Sequence, residues 1–272
     1  MTQSDSKQLF IQQTRRLLYP KADLLRPFPP VIEQAIGQNR APAKVVFKND
    51  QTITLDVFSK SFRQLAFTVP SNVRAILTLR GKAADTFSLQ LISVDVGQDA
   101  SLHLIQAVQG GARAETHLAI SLVGQGAEAH VYGMFHAQDE QQQAFHILMH
   151  HRVPNTRGNI FLRGVYEGKA KGVFSGLIKV APGAQKTNSY FADNVLLLDE
   201  AVAESLPTLE IEANDVKASH GSTTSRIDED QLFYLRSRGI PLPLAQRMVI
   251  DGFFQPVLAR APLTNPSLSA LL

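Results

Sequence analysis

The residues with the clearest chemical potential lie late in the chain. His220 stands in a Ser-His-Gly step, and Glu210 and Glu212 come shortly before it. An imidazole nitrogen is a competent iron ligand, and carboxylate oxygens attract hard divalent cations. If the stretch is a strand, the two glutamates point to one face. These residue types could serve as iron ligands at His220, Glu210 and Glu212. The plainer alternatives are a histidine that only hydrogen-bonds a turn and a pair of solvated glutamates.

The absence of cysteine limits what such a site could hold. None occurs among the 272 residues. Thiolates are the usual protein ligands of sulfur-containing metal clusters, so this chain alone is expected to bind no such cofactor stably. Disulfides and thiol catalysis are excluded for the same reason.

Patterns typical of catalysis are also missing. The glycine steps at Gly164 and Gly172 are not followed by the Gly-Lys-Ser/Thr sequence of a phosphate-binding loop. Neither G-x-S-x-G nor H-E-x-x-H occurs. The sequence therefore predicts a protein that is not an enzyme.

Charge and hydropathy set further bounds. With 27 Lys and Arg against 24 Asp and Glu, the net charge is +3. The basic residues are scattered, so nucleic-acid binding is not predicted. No apolar run reaches the roughly 18 residues of a membrane span, and the first ten residues lack the features of a signal peptide. A cytoplasmic protein without membrane contact is expected.

The elements that would position these residues fall into three zones. Residues 1–43 contain one predicted helix, Asp5 to Tyr19, and a proline-rich linker. Residues 44–225 read as strand after short strand, because apolar and polar residues alternate. Residues 226–272 show helical signals instead. Predicted strands in the middle zone include Lys44–Lys48, Thr52–Phe58, Val73–Leu79, Phe87–Val94, His103–Ala107, His117–Leu122 and Ala129–Phe135.

A weak repeat runs through the middle zone. Gly97-x-x-Ala100, Gly111-x-x-Ala114 and Gly126-x-x-Ala129 follow each other at intervals of about fifteen residues. Such a repeat suits a solenoid of stacked strands. A β-sandwich remains the alternative on this pattern alone.

Histidines recur within the same repeat. His103 and His117 occupy equivalent places, so stacking of these two is expected if the solenoid is correct, whereas His130 falls out of line. The group His146, His150 and His151 is not predicted to bind metal, because adjacent side chains on a strand diverge.

The last zone predicts two helices and a binding surface. Asp228 suits an N-cap, Gly239 a helix end and Pro243 a first turn, while Pro256 should cut the chain into short pieces. The apolar residues exceed what two short helices can bury, so part should pack on the end of the β-domain and the rest meet a partner. The predicted partner-binding residues are Leu232, Phe233, Tyr234, Arg236, Arg238, Met248, Phe253 and Phe254.

Three ordered blocks carry a resemblance to a known family. They are GVYEGKAKGVFSGLIKVAPGAQKTNSY (Gly164–Tyr190), NVLLLDEAVAESLPTLEIEANDVKASHG (Asn194–Gly221) and IDEDQLFYLRSRGIP (Ile227–Pro241). Together they resemble the SufB/SufD family, the scaffold proteins of SUF iron–sulfur cluster assembly. The resemblance implies a mainly β fold, a right-handed parallel β-helix flanked by short N-terminal and C-terminal helical segments.

The resemblance also implies a role and partners. The neighbours of His220 are SufD-like, although Ala218 stands where many SufD-like sequences have cysteine. We therefore expect a SufD-like, non-catalytic subunit that pairs with a SufB-like scaffold, docks the ABC-type ATPase SufC through about residues 228–258, and assists transient iron or a shared iron–sulfur cluster through His220. The alternatives are a free-standing β-helix binding or structural protein, and an iron-binding homodimer.

Overall fold

Residues 42–58, 62–83 and 87–262 are described by the structure, a computed structural model. The helix predicted for Asp5–Tyr19 lies outside them. The described residues form fourteen strands followed by two helices. The strands are β1 (Ala43–Val46), β2 (Gln51–Asp56), β3 (Phe62–Val69), β4 (Arg74–Ala83), β5 (Phe87–Val96), β6 (Ser101–Gly110), β7 (Arg113–Leu122), β8 (Glu128–Ala137), β9 (Gln142–His151), β10 (Arg157–Tyr166), β11 (Lys171–Val180), β12 (Thr187–Leu197), β13 (Val202–Ile211) and β14 (Val216–Arg226). The helices are α1 (Glu229–Ser237) and α2 (Leu242–Leu258).

Consecutive strands alternate between two parallel sheets. Sheet A has the order β1-β3-β5-β7-β9-β11-β13, and sheet B has the order β14-β12-β10-β8-β6-β4-β2. The chain therefore coils through about six full turns between the first and the last strand of each sheet. The predicted parallel β-helix is confirmed, and the alternative of a β-sandwich, which is built from antiparallel sheets, is wrong.

Apolar residues stack in columns between the two sheets. One column in sheet B consists of Leu77, Leu104, Val131, Ile160 and Phe191, which are paired in register on successive strands and at most 1% exposed. Burial of each such side chain contributes about 1.5–3 kcal/mol. The alternation predicted for half-buried strands thus supplies the core of the solenoid.

The true repeat of the solenoid is twice the predicted one. Strands that stack are offset by 22 to 31 residues, as in Ala43 paired with Leu65, Ser101 with Glu128 and Arg157 with Asn188. The predicted interval of about fifteen residues is half a turn and leads from one sheet to the other. At the correct interval, Gly97-Gln-Asp-Ala100 is followed by Gly124-Gln-Gly-Ala127.

The two helices begin as predicted but follow a different course. Asp228 accepts hydrogen bonds from the Asp230 and Gln231 backbone N–H groups at 2.9 and 3.3 Å, and Gly239 has a φ of +83° after α1. Both predicted termini are confirmed. The prediction that Pro256 breaks the chain is wrong, because α2 continues to Leu258. Pro256 lies in the last turn, where the lost N–H affects a single hydrogen bond.

Helix α2 packs against the outer face of sheet B, not on the end of the solenoid as predicted. The outer face is apolar there, so it can bury the apolar side of the helix. The shared cluster includes Ile250, Phe254, Val257 and Leu258 of the helix and Ile105, Tyr132, Met134, Val165 and Leu196 of the sheet. Neither described helix is long and apolar enough to cross a membrane.

A buried histidine makes the stability of the fold depend on pH. His151 is fully buried, its Nδ1 lies 2.8 Å from Thr156 Oγ1, and burial lowers its pKa to about 4. The unfolded chain binds this proton near pH 6.5, so stability falls as pH drops below 6.5 and the loss is complete below about 4. We expect a loss of about 3 kcal/mol from this residue.

Chemical denaturation at pH 7 and pH 4.5 checks this dependence. His151→Asn should reduce the difference in unfolding free energy between the two pH values. An unchanged difference in the variant would show that other groups, such as the buried His146, carry the effect.

Candidate functional site

The solenoid ends in two strands that are each paired on one side only. Among the described residues, β13 pairs with β11 and β14 pairs with β12, and neither has a second strand neighbour. Their outer edges therefore present unpaired backbone N–H and C=O groups, which readily accept a strand from another chain. This open end is the candidate functional site.

The open end displays a polar inner face. His220 stacks in register on Phe191, and Ser222 stacks on Asp193. The β12 members of these pairs are buried, whereas His220 and Ser222 are exposed because no further turn covers them. The middle turns are largely apolar inside but hold polar pairs such as Gln106 with Thr116, and the last turn adds Asp193, Ser222 and His220.

A buried carboxylate lies directly beneath this face. Asp193 is 0% exposed, and the Ser222 hydroxyl donates to its Oδ2 at 3.0 Å. Burial raises the pKa of Asp193, while the Ser205 and Ser222 hydroxyls and the charge of His220 act in the opposite direction. The Oδ1 atom has no hydrogen-bond partner. Asp193, Ser205, Ser222 and His220 therefore form one polar cluster at the open end.

The two predicted glutamates lie elsewhere. Glu210 forms an ion pair and hydrogen bond with Lys179, and Glu212 Oε1 lies 3.7 Å from the same Lys179 nitrogen. The hydrogen bond that Lys179 donates to Glu210 is the main cause of a raised pKa for Lys179, and the negative charges of both glutamates act in the same direction. Glu210 pairs with Lys179 on the outer face of sheet A, whereas His220 belongs to the inner face of sheet B.

No described group of three His, Cys, Asp or Glu residues is spaced to hold a metal ion. The structure brings Glu210 and Glu212 together but does not join them to His220. An iron site at these three residues stays a prediction.

The stacked histidines form different pairs from the predicted one. His103 stacks on His130 with ring centroids 5.0 Å apart, and His117 lies over His146 at 4.6 Å. His103 and His117 belong to opposite sheets, so the expectation that they stack is wrong. Pairing at 27 or 29 residues is the signal that would have identified the correct partners.

The predicted partner-binding residues divide by exposure. Leu232 and Phe254 are buried within the chain, and Phe253 is half-buried beneath the Arg163 guanidinium. Phe233 and Tyr234 are 73% and 57% exposed. Arg236, Arg238 and Met248 are exposed as well. We call the exposed set Phe233, Tyr234, Arg236, Arg238 and Met248 the helical surface.

A groove lies beside the helical surface. It has a volume of about 760 Å³ and runs between α1, α2 and the edge of sheet B. Tyr234 and Met248 line it, together with Arg226 and Asp228 from the end of β14 and the cap of α1. The groove therefore connects the helical surface to the strand that carries His220.

Asp193, Ser205 and Ser222 were not among the site residues predicted from the sequence. The signal was present: in the run Phe191-Ala-Asp-Asn-Val195 the aspartate takes an inward position between two apolar ones. A charged residue at a core position is rare unless a partner or a function requires it.

Comparisons with known proteins agree with this architecture. A family profile described as SUF system FeS cluster assembly, SufBD core domain, matches residues 41–253. An iron–sulfur cluster assembly SufBD family protein of Mycobacterium tuberculosis is 34% identical over 187 residues, which are 65% of this chain and 47% of that protein. A Synechocystis protein of the same description is 32% identical over 168 residues, covering 61% of this chain and 35% of the relative. The chain thus spans about half the length, or less, of these relatives.

Proposed function

This chain belongs to the SufBD family of iron–sulfur cluster assembly proteins, and from that premise we propose that it acts as a SufD-like, non-catalytic subunit of a SUF assembly complex. The observation that carries the proposal is the open end of the solenoid. Two unpaired edge strands there frame a polar inner face that displays His220.

The open end suits pairing with a SufB-like scaffold. Edge strands of one solenoid can continue the sheets of another, so that main-chain hydrogen bonds supply the association. His220 would then face the partner across the junction. Ala218 stacks over Ser189 in the same inner row as His220, so the position that is often cysteine in SufD-like sequences also belongs to this junction.

Iron and the nascent cluster are cargo in this proposal. With no cysteine in the chain, the sulfur ligands come from the scaffold, and this subunit contributes an imidazole nitrogen or carboxylate oxygen. The chain itself holds cargo only transiently or shares it with its partner.

The helical surface suits docking of a SufC-like ATPase. Exposed aromatic residues beside arginines are the composition that protein interfaces favour, and Phe233 and Tyr234 have both the exposure and the neighbours. The adjoining groove touches the end of β14. A partner bound there could therefore couple its own movement to the open end.

Co-expression with a SufB homologue and a SufC homologue from the same genome tests the proposal. We expect all three chains to co-purify through a tag on this one at low detergent and moderate salt. Recovery of this chain as a monomer would contradict the proposal. Recovery as a stable homodimer that excludes the SufB homologue would favour the iron-binding homodimer instead.

A further inference from the structure

Asp193 lies diagonally opposite His220 on the neighbouring strand of sheet B, whereas Glu210 and Glu212 contact Lys179. Phe191 on β12 is the register partner of His220 on β14. Asp193 is the next inward-facing residue on β12 after Phe191, so it lies one inward position along from His220 on the neighbouring strand. Strand spacing and rise place their Cα atoms about 8 Å apart. The two side chains are close enough for the charge of His220 to act on Asp193.

Asp193 also has an unused oxygen. A carboxylate at 0% exposure is costly to bury, and one with an unpartnered oxygen is costlier still. Ser222 donates to Oδ2, which fixes the orientation of the carboxyl group and leaves Oδ1 without a partner. The Ser205 oxygen is also buried without a hydrogen-bond partner. Asp193 Oδ1 is therefore available as an oxygen donor beside the open end.

We propose that Asp193 is the carboxylate that acts with His220 in binding a divalent cation at the open end of the solenoid. The inference rests on the proposed function, because it assigns the hard oxygen donor of the iron site described there. One imidazole and one carboxylate are two donors, and the remaining positions are open to water or to ligands from the scaffold partner. This mixed nitrogen and oxygen set suits ferrous iron.

The glutamates are less suited to this task. Glu210 and Glu212 share Lys179, whose positive charge already satisfies them. Glu212 lies in the corner before β14, which begins at Val216. His220 lies four residues into that strand, roughly 13 Å from its start. Asp193, on the inner face, is therefore the better-placed carboxylate ligand for a cation bound by His220.

Anaerobic calorimetric titration with ferrous iron tests the proposal, on the full chain and on the chain co-purified with its scaffold partner. The variants are Asp193→Asn, His220→Ala, and the double variant Glu210→Gln with Glu212→Gln, which serves as the matched carboxylate control. We expect Asp193→Asn and His220→Ala each to weaken iron binding at least tenfold, and the double glutamate variant to bind within a factor of two of the unsubstituted chain.

A further variant separates ligand binding from folding. Ser222→Ala removes the hydrogen bond to Asp193 but keeps the carboxylate, so iron binding should stay within about threefold. If Ser222→Ala loses as much affinity as Asp193→Asn, the role of Asp193 is structural and the proposal is overturned.

The remaining outcomes distinguish this proposal from the one it rests on. Normal binding by Asp193→Asn with weak binding by His220→Ala removes Asp193 from the site and leaves the proposed function standing. Normal binding by both variants, or no binding by the unsubstituted chain and its complex, overturns the iron site altogether. Failure of the chains to co-purify is a separate result that concerns only the proposed function.

Discussion

Replacing Phe233 and Tyr234 together with alanine is expected to weaken binding of a SufC-like ATPase, the partner proposed for the helical surface, at least 100-fold. Truncation of an aromatic anchor at the centre of an interface typically costs about 2 kcal/mol or more, which corresponds to about 30-fold in affinity. The two effects need not add fully, because the residues are neighbours on α1. Both side chains are more than half exposed in this chain, so their loss should not unfold it.

The measurement is calorimetric or surface-based binding of the purified ATPase to the chain. Tyr190→Ala provides a matched control, since Tyr190 is an aromatic residue of sheet B that is 37% exposed and belongs neither to the helical surface nor to the lining of the groove. Its affinity should match that of the unsubstituted chain. Equal affinities for the double variant and the control would remove the helical surface from the proposed interface.

Gly124→Ala is expected to destabilise the solenoid by about 3 kcal/mol, in the upper part of the range for overpacked sites. A Cβ at this position would lie 2.0 Å from Gln98 N and 2.3 Å from Gln98 Cα. Both atoms belong to the backbone of the turn below, which also bonds to its neighbours through Asp99 N and Gln125 O at 2.9 Å. The corner can therefore make room only by separating two turns.

Thermal and urea unfolding measure the effect, and Gly183→Ala is the control. No atom lies within 4 Å of a Cβ at Gly183, and its φ is not positive. That variant should be neutral or stabilised by up to about 1 kcal/mol. If Gly124→Ala unfolds at the same denaturant concentration as the control, the close stacking of the corners does not hold.

Local signals predicted the elements of this fold well. The alternation around His117–Leu122 and Ala129–Phe135 identified strands that the structure extends to Arg113–Leu122 and Glu128–Ala137. Asp228 and Gly239 identified both ends of α1. These signals succeed because capping and strand alternation depend on residues a few positions apart.

The stacking period was predicted less well for a physical reason. A corner occurs twice in every turn, so Gly97 and Gly111 look alike in sequence. They nevertheless lie at opposite ends of β6, in the two different corners of one turn. The longer period appears only when the chemistry of a whole corner is compared, as in the two Gly-Gln steps at Gly97 and Gly124. The expected pair His103 and His117 is wrong for the same reason, because these residues are half a turn apart and each stacks on a histidine one full turn away.

For the candidate site, the sequence identified the strand but not the neighbours. Glu210 and Glu212 are close to His220 along the chain, yet a corner and a change of sheet separate them. Asp193 is 27 residues from His220 and becomes its neighbour only through the register of β12 and β14. Contacts across a solenoid turn are invisible to any reading confined to nearby residues.

The open end has a consequence for how the cell must supply this protein. An exposed strand edge accepts any compatible strand, including one from a second copy or a partly folded chain, and addition at one end regenerates a new edge. We therefore expect chain made in excess of the proposed scaffold partner to be prone to self-association through this edge.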